Sequence, residues 1–506
     1  MQDGVVELMQ ANFEQKGPGK VAIIDIGSNT VRLVVYDAPL RLPVPLFNEK
    51  AQCQLALGMD KTGRMNPDGV ELALKSISRF IKLIKAMGVD HLDLIATSAV
   101  RDADDGPDFV REIKKRFDRD VQVLSGEEEA RLAATGLLSG VPEADGLVGD
   151  LGGGSLDLVA LNKGEFGEQD TLPLGHIRLS EFAVQGTDAM RQHIMDQFET
   201  LPWLKKTRSR TLYAIGGSWR AVARILLEQT NHPLHVVDNF TIRGSDALRL
   251  VRIIAGLQSD SGKRLAGIAP GRMATLPFAA TVLEILLRVS KPDHLTFSGF
   301  GVREGQLLMS LPEDVRKQDP LISACEAMRI RTGRFAIKGK EIMSWMDPLF
   351  EVESDEERRL RHAACLLSDI GWSEHPDYRA EHAFHRVLRV PFAGLDHRQR
   401  VLIADAVYVR YNGEPDSVLV EPVRSLLDSG QMSWVRVVGL ALRLAHTVAG
   451  SAPGILSKTR LRIKNDRLYL QLPKDVDRDV FMGDAVGRRL KTLGNSLNLK
   501  GKFYLE

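Results

Sequence analysis

The chain has 506 residues, 44% of them hydrophobic and 26% charged, with a formal net charge of +1. That length suits about three or four domains, and the composition is ordinary for a soluble globular protein. The balanced charge excludes a chain basic in bulk, so nucleic acid is not an expected partner and any polyanion site must be a local patch. Cys53, Cys325 and Cys365 are scattered and form neither a disulfide framework nor a metal spacing, which points to a reducing cytoplasm. Residues 1–20 carry Asp3, Glu7 and Glu14 and no apolar core, unlike a signal peptide. No run of about 18 apolar residues predicts a membrane helix, so no membrane partner is expected.

In chain order, two apolar runs, Val21 to Asp25 and Val31 to Val35, flank Gly27-Ser28-Asn29-Thr30, which predicts strand, tight turn, strand. A turn at Asn66-Pro67-Asp68-Gly69 precedes a helix predicted over 70–87, with Leu72, Leu74, Ile77, Phe80, Ile81 and Ile84 near helical spacing. A strand over 91–97 runs into Ser98-Ala99-Val100-Arg101. A charged helix over 108–117, a short strand over 121–124 and a helix opened by Glu127-Glu128-Glu129 follow. A second hairpin then repeats the first: Leu147 to Asp150, the turn Gly152-Gly153-Gly154-Ser155, and Leu156 to Val159. Next come a strand over 211–215, Gly216-Gly217-Ser218 and a helix from Trp219. A strand from Leu295 ends in Gly299, Gly301 and Gly305.

Beyond Pro312 the pattern turns helical, over 321–331, 354–369, 379–386, 399–408 and 434–448. Ser354 and Glu357 have capping-box spacing. A basic alternating segment over 460–470, turned at Asn465-Asp466, predicts a closing hairpin. Three domains are expected: 1–145, 146–312 and 313–506.

The paired loops carry the chemistry. Glycines at a hairpin tip let backbone N–H groups approach an anion, and hydroxyl and amide side chains add donors. One such turn alone favours the reading as an ordinary β-turn; two in the same frame look like phosphate loops facing each other across a cleft. Asp25 and Asp150, at the strand ends, can hold a divalent metal or a water. No Lys follows the glycines and no G-x-G-x-x-G opens a helix, which disfavours P-loop and Rossmann readings.

These blocks, with Thr97 to Arg101, Ser125 to Leu132, Ile215 to Ser218 and Gly299 to Gly305, stand in one order along residues 20–310. In that set the chain resembles the exopolyphosphatase and guanosine-pentaphosphate phosphohydrolase family, of the actin-like, sugar-kinase, heat-shock-ATPase superfamily. The resemblance implies an α/β fold, two ribonuclease-H-like domains with a cleft between them. It extends more weakly into the tail, implying a mostly helical HD-like domain with a small β element at its end. The implied reaction is Mg²⁺-assisted, processive removal of terminal orthophosphate from inorganic polyphosphate. Guanosine pentaphosphate is the alternative substrate, and a cytoplasmic homodimer is the expected form.

The resemblance also implies roles. The cradle for terminal and preceding phosphates is Gly27, Ser28, Asn29 and Thr30 with Gly152, Gly153, Gly154 and Ser155. Arg101 is read as a bidentate phosphate clamp, with a surface salt bridge as the plain alternative. Alignment on Glu-Ala-Arg-Leu places the water-activating carboxylate at Glu129, and Glu128 is the candidate if the register is off by one. Asp25, Asp150 and Asp157 are the implied Mg²⁺ ligands. Asp157 stands where family members usually carry Glu, one methylene longer, which suits a bridging water. Trp219 and Arg220 are read as filling the space where the superfamily holds a nucleotide.

In the tail, His362, Ser368-Asp369, His382, His385 and Asp405 fall where an HD-type site has its ligands, but Ser368 replaces the central His. Binding and dimerisation are the expected roles instead. Arg398, Arg400, Arg410, Arg460, Arg462, Lys464 and Arg467 could guide a polyanion or form a solvated basic face. Lys205, Lys206, Arg208 and Arg210 are a second such group. An actin-like ATPase or kinase and a non-catalytic sensor are the competing classes.

Overall fold

The computed structural model describes residues 19–37, 41, 44–89, 91–257, 275–332, 339–390, 394–413, 417–472 and 481–505; the segment 1–18 read above lies outside them. The chain divides into two compact units, residues 1–317 and 318–506.

The first unit uses one sheet plan twice. β1 (Lys20–Ile26), β2 (Thr30–Asp37) and β3 (Pro45–Gln52) make an antiparallel meander. β4 (His91–Ala96) runs parallel on the other side of β1, and β5 (Gln122–Val123) runs parallel to β4, giving the order β3-β2-β1-β4-β5. The second lobe repeats this with β6 (Gly146–Leu151), β7 (Leu156–Asn162) and β8 (Glu165–Leu172) as the meander and β9 (Thr211–Ile215) parallel to β6. β10 (Phe240–Arg243) lies antiparallel to β11 (His294–Phe297), which is parallel to β9, and the order is β10-β11-β9-β6-β7-β8. Both hairpin tips named from sequence therefore join the first two strands of a meander.

Burial explains which strands the sequence reveals. Ala22, Ile23, Ile24 and Ile26 of β1 are all buried, as expected of a central strand covered on both faces. β3 has no buried residue and pairs only as an edge, so its polar sequence carried no strand signal. The helix predicted over 70–87 runs Pro67–Ala86. Pro67 sits at its first position, where a missing N–H costs nothing. The turn read at 66–69 is thus a helix start, and Gly69 lies inside it because a Cβ there would stand 2.3 Å from the Cys53 carbonyl oxygen. Leu74, Ile77, Phe80 and Ile84 face the core, while Leu72 is exposed. In the second lobe Trp219 is fully buried, its Nε1 donating to the Ala279 carbonyl at 2.9 Å. It belongs to the core and fills no nucleotide space.

The second unit is mostly helical, with Pro320–Thr332, Asp355–Leu367, Arg379–Arg389, His397–Arg410 and Ser429–Ala449 as its main helices. Ser354 caps its helix with the reciprocal Glu357 bond that its spacing predicts. β12 (Arg460–Lys464) and β13 (Arg467–Leu472) form the hairpin turned by Asn465 and Asp466, at φ of 51° and 54°. That is the left-handed pair a two-residue hairpin needs. β14 (Lys500–Leu505) adds to β13 in parallel and was not foreseen.

Candidate active site

The two tips meet. The Gly27 amide donates to the Thr30 carbonyl at 3.0 Å, and the Gly152 amide donates to the Ser155 carbonyl at 2.9 Å, closing two turns of the same form. Among the described residues the amides of Ser28, Asn29, Gly153 and Gly154 have no backbone acceptor. Two positions of the second tip leave little room for a side chain: a Cβ on Gly153 would stand 3.0 Å from Ser28 Cβ, and one on Gly154 would stand 2.8 Å from Ser98 Oγ. Ser28 Oγ and Ser98 Oγ share a 2.8 Å hydrogen bond beneath them.

A cavity of about 720 Å³ opens at this junction. Of the predicted phosphate cradle, Gly27, Ser28, Asn29, Thr30, Gly152 and Gly153 line it. Gly154 and Ser155 do not. Gly154 packs against Ser98 and Ser28, and the Ser155 carbonyl is used in closing its own turn.

Three carboxylates face the cavity, Asp25, Asp150 and Glu129. Asp25 and Asp150 occupy equivalent places, one residue before the end of β1 and β6. Burial lifts the Asp25 carboxyl above its ordinary range, against the pull of Arg303, whose Nη1 lies 3.6 Å away. Burial lifts Asp150 to about 6, opposed by Arg220 and reinforced by Asp25. Glu129 sits in the first turn of the Gly126–Gly140 helix and is 8% exposed. Burial raises it to about 7; Arg101 opposes the rise, and Asp150 and Asp25 add to it.

The neighbouring Glu128 points elsewhere. Its carboxylate accepts from the Ser125 amide at 2.8 Å while Ser125 Oγ accepts from the Glu128 amide at 3.1 Å. Successive helical residues diverge by about 100°, so Glu128 closes a capping box while Glu129 faces the cavity.

Two predicted residues stand behind the site. Arg101 does not line the cavity: its Nη1 donates to Glu129 Oε2 at 3.0 Å and to the Leu124 carbonyl at 3.1 Å, and its Nε donates to Asp102 Oδ1 at 2.9 Å. Asp157 lies across the β6–β7 ladder from Asp150, is 3% exposed and accepts from Thr171 Oγ1 at 2.7 Å. Burial and Glu129 hold its carboxyl well above the usual range.

The sequence reading missed most of the cationic wall. Arg32, Lys50, Arg220, Arg224 and Arg303 line the cavity, an excess of two positive charges over its three carboxylates. Arg303 is the most telling: its side chain is 13% exposed and its Nε has no hydrogen-bond partner among the described residues. A buried guanidinium with an unmatched donor calls for an anion. Arg303 lies in the glycine-rich Gly299–Gly305 segment, which signalled the place but not the side chain.

The tail residues do not come together as one surface. Arg400 is fully buried and donates to the Val390 carbonyl, so it presents no charge to solvent. Arg410 is buried and its Nη2 lies 3.4 Å from Asp369 Oδ1. Arg398 pairs with Glu356. Arg460, Arg462 and Lys464 are exposed on β12. In the first unit, Lys206 pairs with Glu168 and Arg210 with Asp145.

The HD-type candidates make no metal-holding group among the described residues and are engaged with other partners. Ser368 hydrogen-bonds His446 Nε2 at 2.8 Å, Asp405 takes Arg424 in a two-pronged pair at 2.7 and 2.8 Å, and His382 meets Glu374 at 3.1 Å.

Known proteins share this design. The Ppx/GppA phosphatase family matches residues 34–314, and a family described as exopolyphosphatase, C-terminal, matches residues 321–503. A guanosine-5'-triphosphate,3'-diphosphate pyrophosphatase of Aeromonas hydrophila is 22% identical over 476 residues, covering 89% of this chain and 92% of its own. Exopolyphosphatase 1 of Mycobacterium tuberculosis is 26% identical over 306 residues, 58% of this chain and 89% of its own. Crystal structures of an exopolyphosphatase from Cytophaga hutchinsonii and of a Ppx/GppA family member from Aquifex aeolicus share the fold. The first is 24% identical with a TM-score of 0.52, over 56% of this chain and 96% of its own. The second is 23% identical with a TM-score of 0.50, over 57% and 96%.

Proposed function

Since the chain belongs to the Ppx/GppA phosphatase family and is a phosphoanhydride hydrolase, we propose that it is an exopolyphosphatase that removes terminal orthophosphate from inorganic polyphosphate. The observation that carries this is the cavity where two glycine tips, a buried carboxylate raised to about 7 and five cations converge. The tip amides and Ser28, Asn29 and Thr30 hold the terminal and preceding phosphates. Arg303 meets a phosphate oxygen with its unmatched donor. Glu129 takes a proton from the attacking water as that water's oxygen bonds to the terminal phosphorus. The bridging P–O bond breaks, leaving orthophosphate and a chain one unit shorter. Arg101 holds Glu129 in place and favours its ionised form.

The donor set fits Mg²⁺. Asp25 and Asp150 are half-buried carboxylates, one from each lobe, that line the same cavity, and Asp25 raises the proton affinity of Asp150, a repulsion a dication would relieve. Among the described residues no group of three or more ligating side chains could hold an ion by itself. This is the pattern of a metal bound through one or two carboxylates, waters and substrate phosphates. Bound there, Mg²⁺ would neutralise charge on the phosphate oxygens, with Asp157 placed to act only through a water.

Guanosine pentaphosphate is the second reading. It is favoured by the pyrophosphatase relative, which covers both units of this chain. The test is phosphate release with Mg²⁺ from long-chain polyphosphate and from guanosine pentaphosphate at matched terminal-phosphate concentration. Faster release from the polymer supports the exopolyphosphatase; faster release from the nucleotide overturns it in favour of the second reading.

A further inference from the structure

We propose that Arg178 is a positioning residue that clasps the two lobes of the first unit and, through Asp102 and Arg101, aims Glu129. This rests on the hydrolytic reading above. Arg178 lies on the His176–Phe182 helix of the second lobe and does not line the cavity. Its guanidinium reaches two carboxylates of the first lobe: Nη2 donates to Asp102 Oδ2 at 3.2 Å, and Nε lies 3.3 Å from Asp60 Oδ1. The other Asp102 oxygen accepts from Arg101 Nε at 2.9 Å, and Arg101 Nη1 donates to Glu129 Oε2 at 3.0 Å. An unbroken series of charge pairs thus runs from the second lobe to the water-activating carboxylate. One turn along the same helix, Glu181 Oε1 accepts from the Gly58 amide at 2.8 Å, a second tie between the lobes.

Both anchor segments also brace a phosphate tip. In the first lobe the amides of Cys53 and Gln54 donate to the Asn29 carbonyl, each at 3.0 Å, and that of Ala56 to the Ser28 carbonyl at 3.1 Å, just before Gly58. In the second lobe the amides of His176 and Ile177 donate to the Gly152 and Gly153 carbonyls at 3.3 and 3.0 Å. One side chain therefore sets the spacing of the two tips and the aim of the base together. Arginine suits this place because its planar fork spans two carboxylates at once, whereas a lysine ammonium is a point charge.

The test compares the full chain with Arg178→Ala, Arg178→Lys, Asp102→Asn and the Arg178→Ala/Asp102→Asn double variant. Each is assayed with Mg²⁺ on polyphosphate and on guanosine pentaphosphate. Arg178→Ala should lower kcat on the order of 10- to 100-fold, because misplacing reacting groups acts on the chemical step. KM should stay within about twofold, because the cradle itself is intact. The lysine variant should recover part of the loss. The double variant should be no slower than the slower single, because the two residues act in series. Amide hydrogen exchange gives a readout independent of turnover: the amides of Gly58 and of Cys53, Gln54, Ala56, His176 and Ile177, which brace the tips, should lose protection together in Arg178→Ala. Unchanged kcat, a loss confined to KM, additive losses, or exchange restricted to the 176–182 helix would overturn the clasp. If the wild-type chain hydrolyses neither substrate, the hydrolytic reading fails and the exchange pattern still decides the clasp. If Arg178→Ala does not fold, Arg178→Lys carries the same measurements.

Discussion

Gly154→Ala is a perturbation whose outcome can be worked from the packing of the two tips. The added methyl would stand 2.8 Å from Ser98 Oγ and 3.1 Å from Ser28 Oγ, inside ordinary contact for both. Those hydroxyls are buried and bonded to each other at 2.8 Å, so neither can turn away without leaving a buried polar group unmatched. Overpacking of this kind costs about 1–3 kcal/mol, and the cheapest relief is for the second tip to draw back from the first. Reacting groups moved by a fraction of an ångström should lower kcat on the order of 10- to 100-fold. Gly152→Ala is the internal comparison. Its methyl would meet nothing closer than the Ser155 carbonyl at 3.5 Å, an ordinary contact. The assay is steady-state phosphate release with thermal melting of both variants. Wild-type kcat in Gly154→Ala, or equal damage from Gly152→Ala, would refute the reasoning.

Three further outcomes follow from the site. Glu129 must be ionised to accept a proton, and burial raises it to about 7. Its basic form is therefore lost as pH falls below about 7, and kcat/KM should drop there by about tenfold per unit; an acid limb near the ordinary carboxylate range would contradict this. Glu128 serves the capping box and not the cavity, so Glu128→Ala should lower the melting temperature modestly and leave kcat unchanged. A large loss of kcat would move the base to Glu128. Chelation of divalent metal should abolish turnover and Mg²⁺ should restore it, with Asp150→Asn needing more Mg²⁺ for half-maximal rate. Full activity in chelator would contradict a metal role for Asp25 and Asp150.

The paired hairpins were legible because each couples an apolar run to glycines and hydroxyl residues, a signal written in adjacent residues. The Ser354 and Asn465-Asp466 signals were legible for the same reason: caps and two-residue turns are local. β3 and β14 were not, because their pairing depends on neighbours distant in sequence and not on their own pattern. Trp219 misled because a large side chain beside a glycine cluster reads as a pocket wall, whereas the helix turns it into the core against Gly149. Arg303, Arg32 and Arg224 escaped because nothing local distinguishes a cavity arginine from a surface one; only the folded wall gathers them. The converse error placed Arg400 in a basic patch, when the fold buries it completely.

Glu129→Gln offers the most direct measurement. The amide oxygen can still accept from Arg101 Nη1, so the arrangement of the site is kept and only the base is removed. Phosphate release should fall by about 10²–10⁴-fold, while polyphosphate binding, measured separately by titration, stays near the wild-type level. Normal turnover in that variant would contradict Glu129 as the group that activates water, and with it the reading of the cavity as a hydrolytic site built around that carboxylate.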